Sequence, residues 1–301
     1  MDLGMIGLGR MGANMAQRLI RNGHRVVGYD PSEAARKGLE DKAGESAESL
    51  AALVAKLDAP RAIWTMVPAG PITDDTITAL LALLAPGDCI IDGGNSYYKD
   101  SLRHAGLCAA KKVDFVDSGT SGGIWGLDEG YSLMVGGDAA VVERLRPIFE
   151  TLAPSASEGW GRVGPAGSGH FTKMIHNGIE YGMMQAYAEG FAILGHKKEF
   201  ALDLHQIAQI WQRGSVVRSW LLDLTADALG KNPTLAGIAP YVVDSGEGRW
   251  TVAEAIDLDV PAPIITASLI ERLRSRDSDS FADKMLAAMR NEFGGHAIKK
   301  E

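Results

Sequence analysis

The sequence predicts an α/β protein: a doubly wound, mostly parallel sheet domain followed by an all-α domain. Three observations carry that reading. Up to about residue 165 short apolar runs alternate with helical patterns, the order expected of repeated strand-helix-strand units. The first run passes into the first helix through Gly7-Leu8-Gly9-Arg10-Met11-Gly12. From Gly167 onward the strand signals stop while helical segments continue.

The elements follow in order. Residues 3–6 form an apolar run that ends at glycine, and 26–29 form a second after a helix over 12–21. Helices are expected near 32–38 and 46–55. Further strands fall at 62–67 and 90–92, with a helix between them, and then at 115–117 and 133–135. Val163-Gly164-Pro165-Ala166-Gly167-Ser168-Gly169 reads as a loop, because its glycines and proline interrupt both periodicities. The domain limits are therefore 1–166 and 167–301. In the second domain 199–213, 215–230, 251–258, 262–275 and 280–292 read as helices bounded by Gly, Pro, Asp and Ser.

At 301 residues and 46% apolar content the chain suits two domains, each with a sizeable interior. Thirty basic against 38 acidic residues leave a net charge of −8. That balance disfavours nucleic acid or an anionic membrane as partner, since both require a contiguous positive field. A small anionic substrate remains open through a local Arg or Lys cluster. Cys89 and Cys108 have neither metal-ligand nor disulfide-framework spacing, so no metal is expected and a reducing compartment fits. The first ten residues run directly into structure and no stretch reaches eighteen apolar residues. A cytoplasmic location is expected.

Each glycine of the first turn has a physical task. The first permits the tight turn, the second lets a pyrophosphate approach the backbone, and the third lets the helix pack closely. Gly7, Leu8, Gly9, Arg10, Met11 and Gly12 are thus the expected seat of a dinucleotide, and the sheet domain is of the Rossmann type. Asp30 ends the second strand, where a carboxylate accepts hydrogen bonds from ribose hydroxyls and repels a 2′-phosphate. NAD is the expected cofactor and NADP the less favoured, although Arg36 and Lys37 follow on the next helix.

Three further loops are expected at strand C-termini, the ligand-binding edge of such a sheet. They are Met66-Val67-Pro68-Ala69-Gly70, Asp92-Gly93-Gly94-Asn95-Ser96 and Ser118-Gly119-Thr120-Ser121-Gly122-Gly123. Met66, Val67 and Asn95 are assigned to the cofactor, and Asn95, Ser121, Gly122 and Gly123 to the substrate.

Lys173, His176, Asn177 and Glu180 share one narrow arc of a helix at about 100° per residue. The surrounding segment, 167–194, is too apolar and too rich in Gly, Ala and Met for a solvated helix. The stripe is therefore expected to be buried or to line a cleft, and buried Lys and Glu need a reason. A structural ion pair is one reason, but residues seven apart on one helix are too distant for direct contact. The other is a base and an acid serving one substrate.

These motifs resemble those of the 6-phosphogluconate dehydrogenases, within the β-hydroxyacid dehydrogenase superfamily. The similarity spans nearly the whole chain: GLGRMG at 7–12, DGGNS at 92–96, SGG at 121–123, the run from Gly167 to Tyr181 with its HNGIEY, Gly248-Arg249-Trp250-Thr251, and the tail Arg290-Asn291-Glu292-Phe293-Gly294-Gly295-His296. GLGRMG and SGG are shared across the superfamily, whereas HNGIEY and R-x-x-F-G-x-H are specific to the family. The resemblance implies oxidative decarboxylation of 6-phosphogluconate to ribulose 5-phosphate and CO2, within the pentose phosphate pathway and gluconate metabolism. It also implies a lysine general base, a glutamate general acid, and an Arg/His tail that reaches the site of a neighbouring subunit in a homo-oligomer, a dimer or tetramer. Three departures stand out. The chain is far shorter than the long forms of the family, and Ser245-Gly246-Glu247-Gly248-Arg249-Trp250 lacks the lysine that long forms carry before the glycines. SGG is followed by Ile124-Trp125-Gly126 where long forms have acidic residues, so no substrate contact is carried over past Gly123.

The chemistry requires two groups. A β-hydroxy acid loses carboxylate as CO2 only after its hydroxyl becomes a ketone, which accepts the electrons left behind. Lys173 suits removal of the hydroxyl proton and later polarisation of the carbonyl oxygen, because desolvation lowers a lysine toward a pKa of about 7–8. Glu180 is placed to protonate the enediol carbon, with His176 and Asn177 orienting the substrate carboxylate and hydroxyl. A phosphate needs fixed positive groups, for which Arg272, Arg290 and His296 are the candidates, with Tyr181 donating its hydroxyl. Arg274 and Arg276 are expected on a solvated helix face, Met183 and Met184 in the core or a subunit contact, and Lys299-Lys300-Glu301 as a frayed end. The alternative is a 3-hydroxyisobutyrate-type dehydrogenase, which oxidises without decarboxylating and would leave Glu180, Arg290 and His296 idle.

Overall fold

Apolar runs and helical segments alternate as the sequence predicts, in a computed structural model that describes residues 1–299. Two positions of the expected frayed end, Lys300 and Glu301, lie outside the described residues. The chain divides into two compact units, Met1–His176 and Asn177 onward.

The first unit opens with β1 (Asp2–Ile6), α1 (Arg10–Arg21), β2 (Arg25–Tyr29), α2 (Glu33–Glu40), β3 (Glu45–Ser46) and α3 (Leu50–Ala55). It continues with β4 (Ala62–Thr65), α4 (Pro71–Leu81), β5 (Cys89–Asp92), α5 (Tyr98–Ala110), β6 (Asp114–Ser121) and α6 (Gly126–Glu129). Then come β7 (Ser132–Gly136), α7 (Ala139–Arg144), α8 (Arg146–Leu152), β8 (Trp160–Gly164) and the start of α9 (Ser168–His196). The strands form one sheet in the order β3-β2-β1-β4-β5-β6-β7-β8. All neighbours pair in parallel except β6 and β7.

Alternate strand residues face opposite sides of the sheet, and the core divides accordingly. Leu3, Met5, Trp64, Cys89 and Ile91 belong to one cluster, completed by Met15 and Leu19 of α1 and Ile148, Phe149 and Leu152 of α8. Ile6, Ile63 and Ile90 belong to the other, covered by Leu53 and Val54 of α3 and Ile77 and Leu80 of α4. The strand order reverses between β1 and β4, and the crevice at the C-terminal ends of such strands is where open α/β sheets take ligands.

Three local expectations are corrected. The strand β8 was not expected from the sequence, because Trp160-Gly-Arg-Val-Gly164 holds two glycines and buries none of its five residues fully. The two-residue β3 is too short to carry a pattern. Ser118 to Ser121 is strand rather than loop, paired with β7 from Ser118↔Val135 to Ser121↔Ser132, and only Gly122 and Gly123 leave it.

In the second unit the remainder of α9 is followed by α10 (Leu204–Trp211), α11 (Trp220–Lys231), α12 (Glu247–Asp257), α13 (Pro263–Arg274) and α14 (Phe281–Gly294). A small core gathers Phe191, Ala208, Leu222, Ala226 and Leu229. The helix expected from 215 begins instead at Trp220, because the Ser219 hydroxyl accepts the Leu222 N–H as an N-cap. Helix α12 begins four residues before the expected start at 251. Met183 and Met184 are about two-fifths exposed, at 39% and 41%, so neither is core. Among the described residues no helix is long and apolar enough to cross a membrane, and no group of three or more His, Cys, Asp or Glu could hold a metal ion.

Candidate active site

The glycine turn is fixed by sterics. Gly7 has φ of +87°, and a Cβ there would lie 2.4 Å from the Met66 carbonyl oxygen, so no other residue fits. A Cβ on Gly12 would lie 2.0 Å from the Gly7 carbonyl oxygen, which is the close approach of α1 to the turn. At Gly9 a Cβ would meet nothing within 4 Å. Gly9 is the N-cap of α1 and no side chain caps it, so open backbone and a helix N-terminus face the same space, as a pyrophosphate requires.

The side chain of Leu8 does not take part in that opening. Leu8 is 4% exposed, and Met11 packs against the same core, while Arg10 is exposed. The Leu8 N–H donates to Asp30 Oδ2 at 2.8 Å. Asp30 Oδ1 accepts the Ser32 N–H at 2.8 Å, and Arg36 donates to the Asp30 carbonyl at 2.7 Å. Asp30 thus ties the glycine turn to the end of β2.

Met66 follows β4, its N–H donating to the Ile6 carbonyl at 2.7 Å. Buried Asp92 ends β5 and accepts from the Gly94 N–H at 3.1 Å and the Ser96 hydroxyl at 2.8 Å. These bonds curl the loop and leave Asn95 exposed. The two loops abut, since a Cβ on Gly94 would lie 2.9 Å from the Val67 carbonyl oxygen. Past Ser121, Gly122 and Gly123 turn the chain with φ of +140° and +54°.

Lys173 stands on the first turns of α9 and is 9% exposed. Its Nζ lies 3.5 Å from His176 Nδ1. Asn177 and Glu180 follow on the same helix, half-buried, with Glu180 about 10.5 Å farther along the axis. The residue that holds this helix start was not among the candidates expected from the sequence. Asp117 of β6, fully buried, accepts the Gly167 N–H at 2.6 Å through one carboxylate oxygen and the His170 N–H at 2.7 Å through the other. The His170 ring in turn meets the Ser101 hydroxyl of α5, Nδ1 to Oγ 2.7 Å. Burial pushes the Asp117 carboxyl above the ordinary aspartate range, while His170 and the two N–H donors pull it back down. A carboxylate inside an otherwise apolar strand was the signal available for it.

Tyr181, 5% exposed, has two close neighbours at its ring. The Arg272 guanidinium carbon lies 3.4 Å from the ring centroid, and a Cβ on Gly248 would lie 2.5 Å from the ring. Its hydroxyl is 3.4 Å from Ser245 Oγ, which donates at 2.6 Å to buried Glu247. Arg272 also donates to the Val243 carbonyl at 3.1 Å. Arg290 and His296 are exposed on and after α14, a helix that buries none of its residues, and neither hydrogen-bonds to Tyr181 or Arg272. Arg274 pairs with Asp283. Arg276 does not lie free on a solvated face, since its guanidinium is 3.9 Å from the buried Asp244 carboxylate.

Comparison with known proteins covers both units. The profile of the NAD binding domain of 6-phosphogluconate dehydrogenase matches residues 2–161, and that of the 6-phosphogluconate dehydrogenase C-terminal domain matches residues 169–291. A Bacillus subtilis protein whose 6-phosphogluconate dehydrogenase name is provisional is 44% identical over 301 residues, all of both chains. The NAD(+)-dependent, decarboxylating 6-phosphogluconate dehydrogenase of Haloferax volcanii is 42% identical, over 100% of this chain and 99% of its own. Among solved structures, Plasmodium falciparum 6-phosphogluconate dehydrogenase superposes with a TM-score of 0.85 at 29% identity, covering 100% of this chain and 66% of the other. A Mycobacterium tuberculosis 3-hydroxyisobutyrate dehydrogenase shares the fold at 23% identity, with a TM-score of 0.74 over 92% of this chain and 94% of its own.

Proposed function

This chain belongs to the 6-phosphogluconate dehydrogenase family, and from that premise we propose that it converts 6-phosphogluconate to ribulose 5-phosphate and CO2, with NAD as oxidant. The observation that carries the reading is one helix, α9, bearing both a buried Lys173 and, two turns on, Glu180. The full-length similarity to an NAD(+)-dependent, decarboxylating relative supports it. The 3-hydroxyisobutyrate-type alternative shares the fold and leaves Glu180 without a task.

NAD, when bound, supplies the hydride acceptor. Residues 7–12 would hold its pyrophosphate, Asp30 its ribose, and Met66, Val67 and Asn95 the nicotinamide end, with residues 1–166 as the cofactor domain. Residues 167–301 form the substrate and oligomerisation domain. Lys173 Nζ takes the substrate hydroxyl proton during oxidation and holds it against the carbonyl oxygen while CO2 departs, so the charge that develops there is neutralised. Glu180 then gives its proton to the carbon that lost CO2. His176, Asn177, Asn95, Ser121, Gly122 and Gly123 orient the sugar acid. Tyr181 and Arg272, already stacked, take the phosphate together with Arg290 and His296 of a neighbouring copy. The enzyme works as a cytoplasmic homo-oligomer.

The test pairs two variants. Lys173→Met abolishes NADH formation while cofactor binding is retained, and Glu180→Gln impairs the steps after oxidation more than hydride transfer. Supplying the 3-keto acid separately isolates those later steps. If Glu180→Gln processes it as well as the parent does, the acid is misassigned, and if Lys173→Met still forms NADH, so is the base.

A further inference from the structure

We propose that Asp117 is a positioning residue of this reaction: from β6 it caps α9 at two points and so fixes where Lys173 stands over the sheet edge. The proposal rests on Lys173 being the base.

One strand face supplies both contacts. Residues 117 and 119 of β6 point to the same side of the sheet. Asp117 receives the N–H groups of Gly167 and His170. Gly119 leaves room for the lysine itself, because a Cβ there would lie 2.4 Å from Lys173 Cβ and 2.7 Å from the Gly169 carbonyl oxygen. Two more glycines let backbone meet backbone. A Cβ on Gly169 would lie 2.4 Å from the Met134 carbonyl oxygen, and one on Gly136 would lie 2.7 Å from the Gly169 nitrogen and 2.8 Å from the Pro165 carbonyl oxygen. The helix start therefore rests on the sheet with no layer of side chains between them.

Simple capping does not call for this arrangement. A hydroxyl accepts one N–H and caps a helix at little desolvation cost, whereas burying a carboxylate is expensive. What the carboxylate adds is a second point of attachment. One oxygen on one N–H would leave the helix free to rotate about its axis, while two oxygens on N–H groups three residues apart fix rotation as well as height. Rotation matters because each residue advances about 100° around the axis. Lys173 comes one turn after His170, so whatever phase the cap sets is passed to the amine. The Ser101–His170 bond holds the same turn from α5.

The experiment compares Asp117→Asn with the parent, measuring kcat per NAD-binding site counted by cofactor titration, together with KM for both substrates. A misplaced base should lower kcat per site on the order of 10- to 100-fold, with KM for NAD unmoved. A residue that mattered only for folding would reduce the number of cofactor-binding sites and leave kcat per site at the parental value, and that result overturns the proposal. Gly119→Ala provides the second approach, because its methyl group presses on the same helix start, against Lys173 Cβ and the Gly169 carbonyl oxygen, while the Asp117 carboxylate is retained. Should Asp117→Asn fail to fold, Gly119→Ala decides alone: lowered kcat per site upholds the proposal and parental kcat per site refutes it. Lys173→Met run alongside separates the two readings, since NADH formation by that variant would mean that the base itself is wrongly assigned.

Discussion

Replacing Asp30 by alanine should change cofactor choice and stability together, by amounts that its hydrogen bonds set. One carboxylate oxygen accepts the N–H of Leu8, a residue 4% exposed. Without that acceptor a buried donor is left unpaired, at about 1–3 kcal/mol. The other oxygen accepts from Ser32, which is exposed and which water can serve instead. The alanine variant should thus lose about 1–3 kcal/mol and a few degrees in Tm. On the binding side, hydrogen bonds from ribose hydroxyls to a charged acceptor are worth about 1.5–3 kcal/mol, or about 10- to 100-fold in kcat/KM for NAD. NADP loses a like-charge repulsion instead, so the NAD:NADP ratio falls further than NAD use does. Asp30→Asn separates the two effects: its amide oxygen still accepts from Leu8, so stability returns toward the parent, while the ratio still falls. The assay is initial rates with both cofactors beside thermal unfolding of all three proteins. A parent that prefers NADP, or a ratio unmoved in both variants, would remove Asp30 from cofactor choice.

Three other outcomes are expected. Deleting residues 288–301 should abolish turnover yet leave NAD binding intact, and full activity in the truncated protein would exclude a tail that completes a neighbour's site. Cys89 and Cys108 are 0% exposed, and burial pushes both thiols up, Cys108 to about 12. Neither should react with a thiol reagent near neutral pH until the protein is unfolded, and rapid labelling of the native enzyme would contradict their burial. Asp74 is held below the ordinary aspartate range by hydrogen bonds from Arg103 and His104. Its stabilisation is therefore present above the unfolded value of about 3.9 and is lost as pH falls through the depressed one. The gap in denaturation midpoint between parent and Asp74→Asn should close on acidification, and a gap independent of pH would contradict the pairing. The effect is small because both partners are about two-fifths exposed, at 39% and 45%.

Legibility of the sequence followed the strength of the apolar pattern. The strands β1, β2, β4, β5, β6 and β7 could be found because their burial is concentrated in runs of Val, Ile, Leu and Trp, and the glycine turn because each glycine answers a separate steric demand. β8 was hidden because an edge strand that buries nothing fully has no pattern to show. The strand nature of Ser118 to Ser121 was hidden by its composition: small polar residues suggest a loop, and only pairing with β7 extends them. At the site, Lys173, His176, Asn177 and Glu180 were legible as a stripe at helical spacing. Asp117 was not, because its role depends on two N–H groups some fifty residues later in the chain, at Gly167 and His170. Ser245 and Glu247 were likewise invisible as partners of Tyr181, since only tertiary packing brings α12 to that ring.

The 29-residue helix α9 has a consequence for how this enzyme can diverge. Lys173 and Glu180, the proposed proton acceptor and donor, are spaced by covalent count along one rod, so the interval between them is inherited as a number of residues. Substitution at positions 174 to 179 leaves that interval untouched. Inserting or removing a single residue there would swing Glu180 by about 100° and send the donor to another side of the rod. Any exchange of side chains along this stretch keeps the interval, whereas a change of length would have to be corrected by a second one nearby before Lys173 and Glu180 again shared one side of the rod.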